Sequence, residues 1–426
     1  MKNSIHIEPS REPFSNKRLI ISIIVIALAA AMLIGFAIWM KRSAGMEQKS
    51  EVEEVRDTAL LQLEIHSDYE FDCDKKHTCV INIMEAGDNF AAAAKVKYHG
   101  DYSMRYPKHS FSIEFTKPQT LGDLPMDDDY ILNADYIDKT LMRHKLAYDL
   151  FREMNPKKNV APQTTYTLLT VNGEAQGIYL LTQKVTAKVA GLKKKNAGAM
   201  LFKEPPIFYE QRIKAPKDSA NYYMQRFPKL KDRDCAATMD SLHDFLFHSS
   251  DAKFAKEVTQ WFDLDNVIDW HLLLLFTNNQ DGYMKNFYLY RTKMGEPFRF
   301  IPWDYDHSFG RDGDGEKNLL ERVIQCERCI LLRRLMESTE LGYNEKLRAR
   351  YAELRKSGVL SVEHFCALIT ANERVIAPYL AENFGLWPVD AKDYFDGSTH
   401  AAEIALMKTF VAERLAQLDA DFGLKK

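Results

Sequence analysis

The sequence predicts an α+β fold of two lobes, a β-rich front lobe and a helical back lobe, behind one N-terminal transmembrane helix. Three observations predict it. An unbroken apolar run fills 19–40, strands with a period of two dominate 60–183, and after Pro205-Pro206 the apolar period lengthens to that of helices. The 426 residues, 46% hydrophobic and 27% charged, can bury a sizeable core and are too apolar for a disordered chain. A net charge of −3 offers no electrostatic footprint for a phosphate backbone, so no nucleic-acid partner is expected.

Residues 1–18 read as a polar tail. The run LIISIIVIALAAAMLIGFAIWM that follows has 22 residues. As a helix rising about 1.5 Å per residue it reaches about 33 Å, enough to cross a bilayer core. A cleaved signal peptide usually has a shorter apolar core, and a buried core helix keeps a polar face, so an uncleaved signal anchor fits best. Lys2, Arg11, Lys17 and Arg18 precede the run and Lys41, Arg42 and Lys49 follow it. The positive-inside rule therefore only leans towards an inside N-terminus, with the C-terminal domain outside the cytoplasm. Cys73 and Cys79 bracket a polar turn that a hairpin-closing disulfide would span. Cys326 and Cys329 form a Cys-x-x-Cys, open to reading as a disulfide, a redox pair or half a zinc site, the last being weakest without a second close pair. Cys235 and Cys366 read as buried thiols.

After a charged linker at 41–58, the front lobe is assigned to 59–205. Residues 60–66, 79–84, 92–98 and 110–115 alternate apolar and polar as half-buried antiparallel strands do. Residues 138–154 (DKTLMRHKLAYDLFREM) form a helix with Asp138 as N-cap and Pro156 as stop. Residues 164–171 and 177–183, joined by Asn172-Gly173, are the clearest hairpin. The back lobe is assigned to 206–426, with helices at 220–229, 235–247 and 264–277, strands at 286–290 and 298–302, and helices again from 319. A cleft between the lobes is the natural nucleotide site.

The chemistry concentrates in 278–310, NNQDGYMKNFYLYRTKMGEPFRFIPWDYDHSFG. Asp281 and Asn286 stand at the Asp-x-x-x-x-Asn spacing of a phosphoryl-transfer catalytic loop, and a strand pair then leads to Asp304. Such chemistry needs a carboxylate to take the acceptor hydroxyl proton, an amide oxygen on a metal and a second carboxylate on the metal. The spacing alone is weak, because Asp and Asn are common in turns. Context strengthens it: a helix, a loop and a strand pair bring Asp281, Asn286 and Asp304 to one end of a hairpin, a pattern suited to Mg²⁺ and phosphate oxygens. The absence of His-Glu-x-x-His and His-x-x-x-His disfavours a zinc hydrolase, although His99 and His307 sit near the motifs.

Five colinear motifs, HGDYSMRYPKHSFSIEF, DYIDKTLMRHKLAYDL, TVNGEAQGIYLLTQKV, QDGYMKNFYLYR and FRFIPWDYDHSFG, resemble the CotH kinase family across residues 60–310. The resemblance implies a two-lobed, atypical protein-kinase-like fold. It also implies ATP with Mg²⁺ (or Mn²⁺), and phosphorylation of serine or threonine on an exported or cell-surface protein. By position, Asp281 resembles the catalytic aspartate, Asp304 the metal-binding one and Asn286 the second metal ligand. Lys108 resembles a family lysine placed to reach ATP phosphates, although a lysine after proline is as often simply solvated. Arg105 and Arg143 are further candidates for phosphate, each also readable as a surface or helix-packing arginine. Trp303 is a candidate to stack on adenine or to plug the core beneath the metal, and Asp306 to bind metal or cap the turn.

The chain also departs from the family. It carries neither G-x-G-x-x-G in its front sheet nor G-x-x-x-x-G-K-[ST] anywhere. Gln183 stands where glutamate is common and His144 where asparagine is frequent, so a nucleotide-binding pseudokinase remains an alternative. A non-catalytic surface assembly or scaffold protein is the other.

Overall fold

The computed structural model describes residues 60–209, 220–311, 322–390 and 397–424. All of them belong to the unit Leu60–Lys426. Its first half is a closed barrel of β1 (Leu61–His66), β2 (His77–Glu85), β3 (Asp88–His99), β4 (Ser110–Gln119), β5 (Asp127–Asn133), β6 (Thr164–Val171) and β7 (Glu174–Gln183). The strand order is β1-β2-β3-β4-β5-β7-β6. Neighbours are antiparallel except at the seam, where β1 runs parallel to β6 from Leu61 opposite Thr167 to Ile65 opposite Val171. The hydroxyl of Thr167 donates to the Leu61 carbonyl at 2.7 Å, so a buried side chain reinforces the seam. Alternation along each strand sends Leu63, Ile65, Ile81, Ile83, Ile113 and Leu132 to the interior, where each is almost fully excluded from water.

This closure corrects the expected two-lobed kinase-like fold, since the front half is a barrel whose sheet has no open edge at β1 or β6. The expected transmembrane helix has no counterpart among the described residues, none of whose helices is long and apolar enough to cross a membrane. Residues 19–40 and the linker 41–58 lie outside the described residues.

One wall of the barrel faces two cores. Along β7, Tyr179 and Leu181 point into the barrel, while Ile178 and Leu180 join the larger helical core. That is why GIYLL is apolar without interruption. Packed there is α1 (Arg143–Met154), which buries Leu146, Ala147, Leu150, Phe151 and Met154. Asp138 lies before the helix proper, across a turn with left-handed Leu141, and still accepts the amides of Met142 and Arg143 at 3.1 and 2.9 Å.

A second sheet, ordered β11-β10-β8-β9, contains β8 (Met200–Lys203), β9 (Gln225–Phe227), β10 (Phe287–Arg291) and β11 (Arg299–Pro302). The helix expected at 220–229 is therefore a turn and strand instead. Asn221 and Gln225 spend their side chains on local backbone groups there, which competes with helical bonding. Helices α2 (Ala236–His248), α3 (Asp251–Trp261) and α4 (Leu264–Thr277) follow. Then come α5 (Ile330–Glu337), α6 (Tyr343–Ser357), α7 (Val362–Ile376), α8 (Leu380–Leu386) and α9 (His400–Asp421). α4 is buried nearly all round, with Trp270 stacked on Phe300 at 3.9 Å between centroids, and it ends at left-handed Asn278, where the functional stretch begins.

The same helix holds His271, buried with Nδ1 3.1 Å from the Tyr343 hydroxyl. Burial pulls its pKa down from 6.5 to about 4. Above 6.5 the imidazole is neutral whether the chain is folded or not. As pH falls from 6.5 towards 4, the unfolded chain takes up a proton that the folded one refuses, so stability is lost across that window. The expected loss is about 3 kcal/mol. Urea titrations at pH 7 and 4.5 should show a smaller acid penalty in His271→Gln; an unchanged difference would exclude His271 as its source.

The six cysteines are free thiols, Cys79, Cys235, Cys326 and Cys329 being buried. The hairpin-closing disulfide expected between Cys73 and Cys79 is therefore not formed, and Cys-x-x-Cys is not a disulfide either. Burial pushes both of its thiols up, Cys329 to about 12, which removes the thiolate that redox exchange or zinc binding would use.

Candidate active site

The end of the β10–β11 hairpin is built by register. Phe287 pairs with Pro302, so the residues just outside the pair, Asn286 and Trp303, are adjacent, and the Trp303 amide donates to the Asn286 carbonyl at 3.0 Å. Asn286 Nδ2 then donates to the Asp304 carbonyl at 2.9 Å, which leaves Oδ1 as the ligand-capable atom of that amide. Both residues adopt left-handed backbone, φ 61° at Asn286 and 59° at Asp304. Asn and Asp tolerate that region best among residues with a Cβ, and strain of this kind gathers at functional sites.

From α1, His144 and Tyr148 are four residues apart and so share a face. Tyr148 accepts the Asp304 amide at 3.0 Å, while His144 Nε2 lies 3.1 Å from Asp304 Oδ1. On its other side His144 Nδ1 stands 3.2 Å from Asp135 Oδ1, an ion-pair contact whose angle is not that of a hydrogen bond. His144 is 4% exposed, and Asp304 keeps 51% of its side-chain surface open although protein surrounds it, as a carboxylate in a recess does. Burial alone would discharge His144; the two flanking carboxylates outweigh it and hold the imidazole pKa well above its ordinary value. Burial would likewise raise Asp304, but His144 first, then His307 and Lys203, bring it down to about 2. Asp306 is pushed the other way by burial and by the charge of Asp304, against the pull of His307. Ligand atoms of His144, Asp304 and Asp306 lie within 4.8 Å of one another.

Asp281 opens a short 3-10 turn, Asp281–Tyr283, with a third of its side chain exposed and Lys285 Nζ 3.0 Å away. Burial would lower the Lys285 pKa, yet Asp281, then Asp304 and Glu204, raise it. One ammonium therefore feels both Asp281 and Asp304. Lys203, on β8, sits 3.7 Å from Glu204, whose Oε1 accepts the Asn286 amide at 3.3 Å. His99 borders the same ring of charges, and burial with Lys203 lowers its pKa to about 4, which keeps it neutral.

The structure thus brings Asp281, Asn286, Asp304 and Asp306 to one end of the hairpin and seats the other candidates elsewhere. Trp303 is buried between Tyr148, stacked at 6.3 Å, and the edge of Tyr288 at 5.7 Å, so it supports the recess from below. Lys108 is buried, donating to the Ile178 carbonyl and to Asn383 Oδ1 at 3.0 Å, and burial lowers its pKa to about 7. Arg105 is exposed and lies 3.3 Å over the Tyr102 ring. Arg143 is fully buried, paired with Asp138 and, at 3.3 Å, with Glu403, and its Nε donates to the Ser308 carbonyl at 2.8 Å. Gln183 accepts the Gln163 amide at 3.1 Å and borders a cavity of about 340 Å³ with Asp127, Arg152 and Lys188. That cavity shares no lining residue with His144, Asp304 and Asp306.

The roles of His144, Asp135, Tyr148, Lys203, Glu204 and Lys285 were not anticipated from the sequence. The spacing of His144 and Tyr148 was the available signal, as was Lys285 one helical turn after Asp281.

The family described as CotH kinase protein matches residues 96–418, which include every residue of the recess. The chain is 28% identical over 299 residues to Inner spore coat protein H of Bacillus subtilis (strain 168), covering 67% of this chain and 77% of that protein. It is 38% identical over 76 residues to Inner spore coat protein H-like protein of the same organism, covering 18% of this chain and 22% of that one.

Proposed function

The chain belongs to the CotH kinase protein family, and from that premise we propose that it transfers the γ-phosphoryl group of ATP to a serine or threonine of an exported or coat protein. One observation carries the reading: the Lys285 ammonium, 3.0 Å from Asp281, is also raised by Asp304, so the two carboxylates border one recess around a shared cation. The names of two relatives, Inner spore coat protein H and Inner spore coat protein H-like protein, support a reading in which the acceptor belongs to a coat or surface.

In this reading Asp281 takes the proton of the acceptor hydroxyl. The hydroxyl oxygen bonds to the γ-phosphorus, the bond from phosphorus to the bridging oxygen breaks, and ADP leaves. Lys285 orients the Asp281 carboxylate and, with Lys203, offers positive charge to the phosphate oxygens. The donor set of Asp304, Asp306 and Asn286 Oδ1 fits a divalent ion, Mg²⁺ or Mn²⁺, which when bound would neutralise charge on the β- and γ-phosphates. With no glycine-rich cradle, side chains of the recess do the phosphate holding.

Lys108 favours a second reading. The lysine that resembles the family's phosphate lysine is spent on Ile178 and Asn383, as in a nucleotide-binding protein without turnover. Two measurements separate the readings. ATP with Mg²⁺ or Mn²⁺ should stabilise the chain by about 2.7 kcal/mol at a hundredfold excess over Kd, and labelled ATP should leave phosphate on protein. Stabilisation without incorporation would select the second reading, and absence of both would leave an assembly protein.

A further inference from the structure

The recess contains a nitrogen donor that phosphoryl transfer does not call for. His144 is 4% exposed, its Nε2 points at Asp304, and its Nδ1 faces the buried carboxylate of Asp135 at 3.2 Å. A carboxylate behind the second nitrogen, here in ion-pair contact, is the usual neighbour of an imidazole that binds a metal. A ligating histidine gives its second nitrogen to a carboxylate, which fixes ring orientation and raises its donor strength. The spacing agrees. Two donors each ~2.1 Å from one ion and at right angles are ~3.0 Å apart, and Nε2 is 3.1 Å from Asp304 Oδ1. An ion bound between those two donors would take the place of the Nε2 proton that now joins them, and a ligand atom of Asp306 lies within 4.8 Å of both.

We propose that His144, clamped by Asp135, is a direct ligand of the ion held by Asp304 and Asp306, and that this mixed nitrogen and oxygen site takes a divalent transition metal such as Mn²⁺ in preference to Mg²⁺. Mg²⁺ demands oxygen donors and gains little from an imidazole, whereas first-row transition ions bind it well. The inference rests on the metal-binding role given above to Asp304 and Asp306. It adds a ligand, a clamp and a selectivity.

The test is pulsed EPR on the full chain loaded with Mn²⁺. Electron spin echo modulation from one directly bound ¹⁴N is expected, replaced by the ¹⁵N pattern when the protein is grown with ¹⁵N-histidine, a comparison that needs no mutation. The modulation should vanish in His144→Gln and persist in His307→Gln. Asp135→Asn should keep it while weakening Mn²⁺ about 10–100-fold, and the preference for Mn²⁺ over Mg²⁺ in titrations should narrow in His144→Gln. Mn²⁺ bound without nitrogen modulation, modulation traced to His307, or no Mn²⁺ binding to the wild-type chain would each overturn the proposal. Phosphate incorporation by the same preparations keeps the two readings apart. Transfer without nitrogen coupling defeats only the ligand assignment, and coupling without transfer defeats only the enzymatic reading.

Discussion

Asp281→Asn is expected to lower phosphate incorporation by about 10²–10⁴-fold, the range that a positioned general base supplies. Stability should hardly change. The Asp281 carboxylate is a third exposed, and its ion pair to Lys285 at 3.0 Å is of the partly solvated kind. Such a pair contributes about 0.2–1 kcal/mol. Asparagine keeps the shape and the start of the 3-10 turn, in which the amides of Met284 and Lys285 donate to the backbone carbonyl of residue 281. The variant should therefore still melt higher with ATP and metal. Incorporation at the wild-type rate would remove Asp281 from the reaction, and loss of nucleotide stabilisation along with activity would make it a binding residue instead.

Glu403→Ala is expected to cost about 3–5 kcal/mol of folding stability, the range for removing one partner of a buried ion pair. Glu403 is fully buried on the first turn of α9, where it meets Arg143 Nη2 at 3.3 Å, Arg311 Nε at 3.2 Å and the Ser398 hydroxyl at 2.7 Å. Its loss removes from both guanidinium groups the buried carboxylate that they share. Arg143 also holds the Ser308 carbonyl, two residues beyond Asp306, so the same loss should loosen the turn that carries Asp304 and Asp306. Urea unfolding gives the magnitude. Glu403→Gln, which keeps an acceptor but no charge, should fall between; a change below about 1 kcal/mol for alanine would mean that water replaces the carboxylate.

Much of the local structure could be read from residue order. The hairpin β6–β7 follows from Asn172-Gly173 between apolar runs, and α1 and α4 from their helical periods. The meeting of Asn286 and Asp304 at one hairpin end was also legible, because the register of a single strand pair sets both, while Asp281 stands in the 3-10 turn that precedes it. The tether of Arg143 was not, because it joins groups on α1, α9 and the turn after β11. Nor was the burial of Lys108, whose acceptor Asn383 lies on α8.

The sequence by itself determined most of the strands and helices, though not β5, β8 or β9, and the meeting of Asn286 and Asp304 at the β10–β11 turn, since alternation, helical period and hairpin register act between neighbours along the chain. Only the tertiary structure decided that β1 closes on β6 into a barrel, that Asp135 and His144 stand behind Asp304, and that Arg143 and Lys108 are internal. Those outcomes depend on residues far apart in the chain meeting in space. An alternating pattern is the same on an open sheet and a closed one, and a charged residue carries no mark of whether its partner will be water, phosphate or another buried charge.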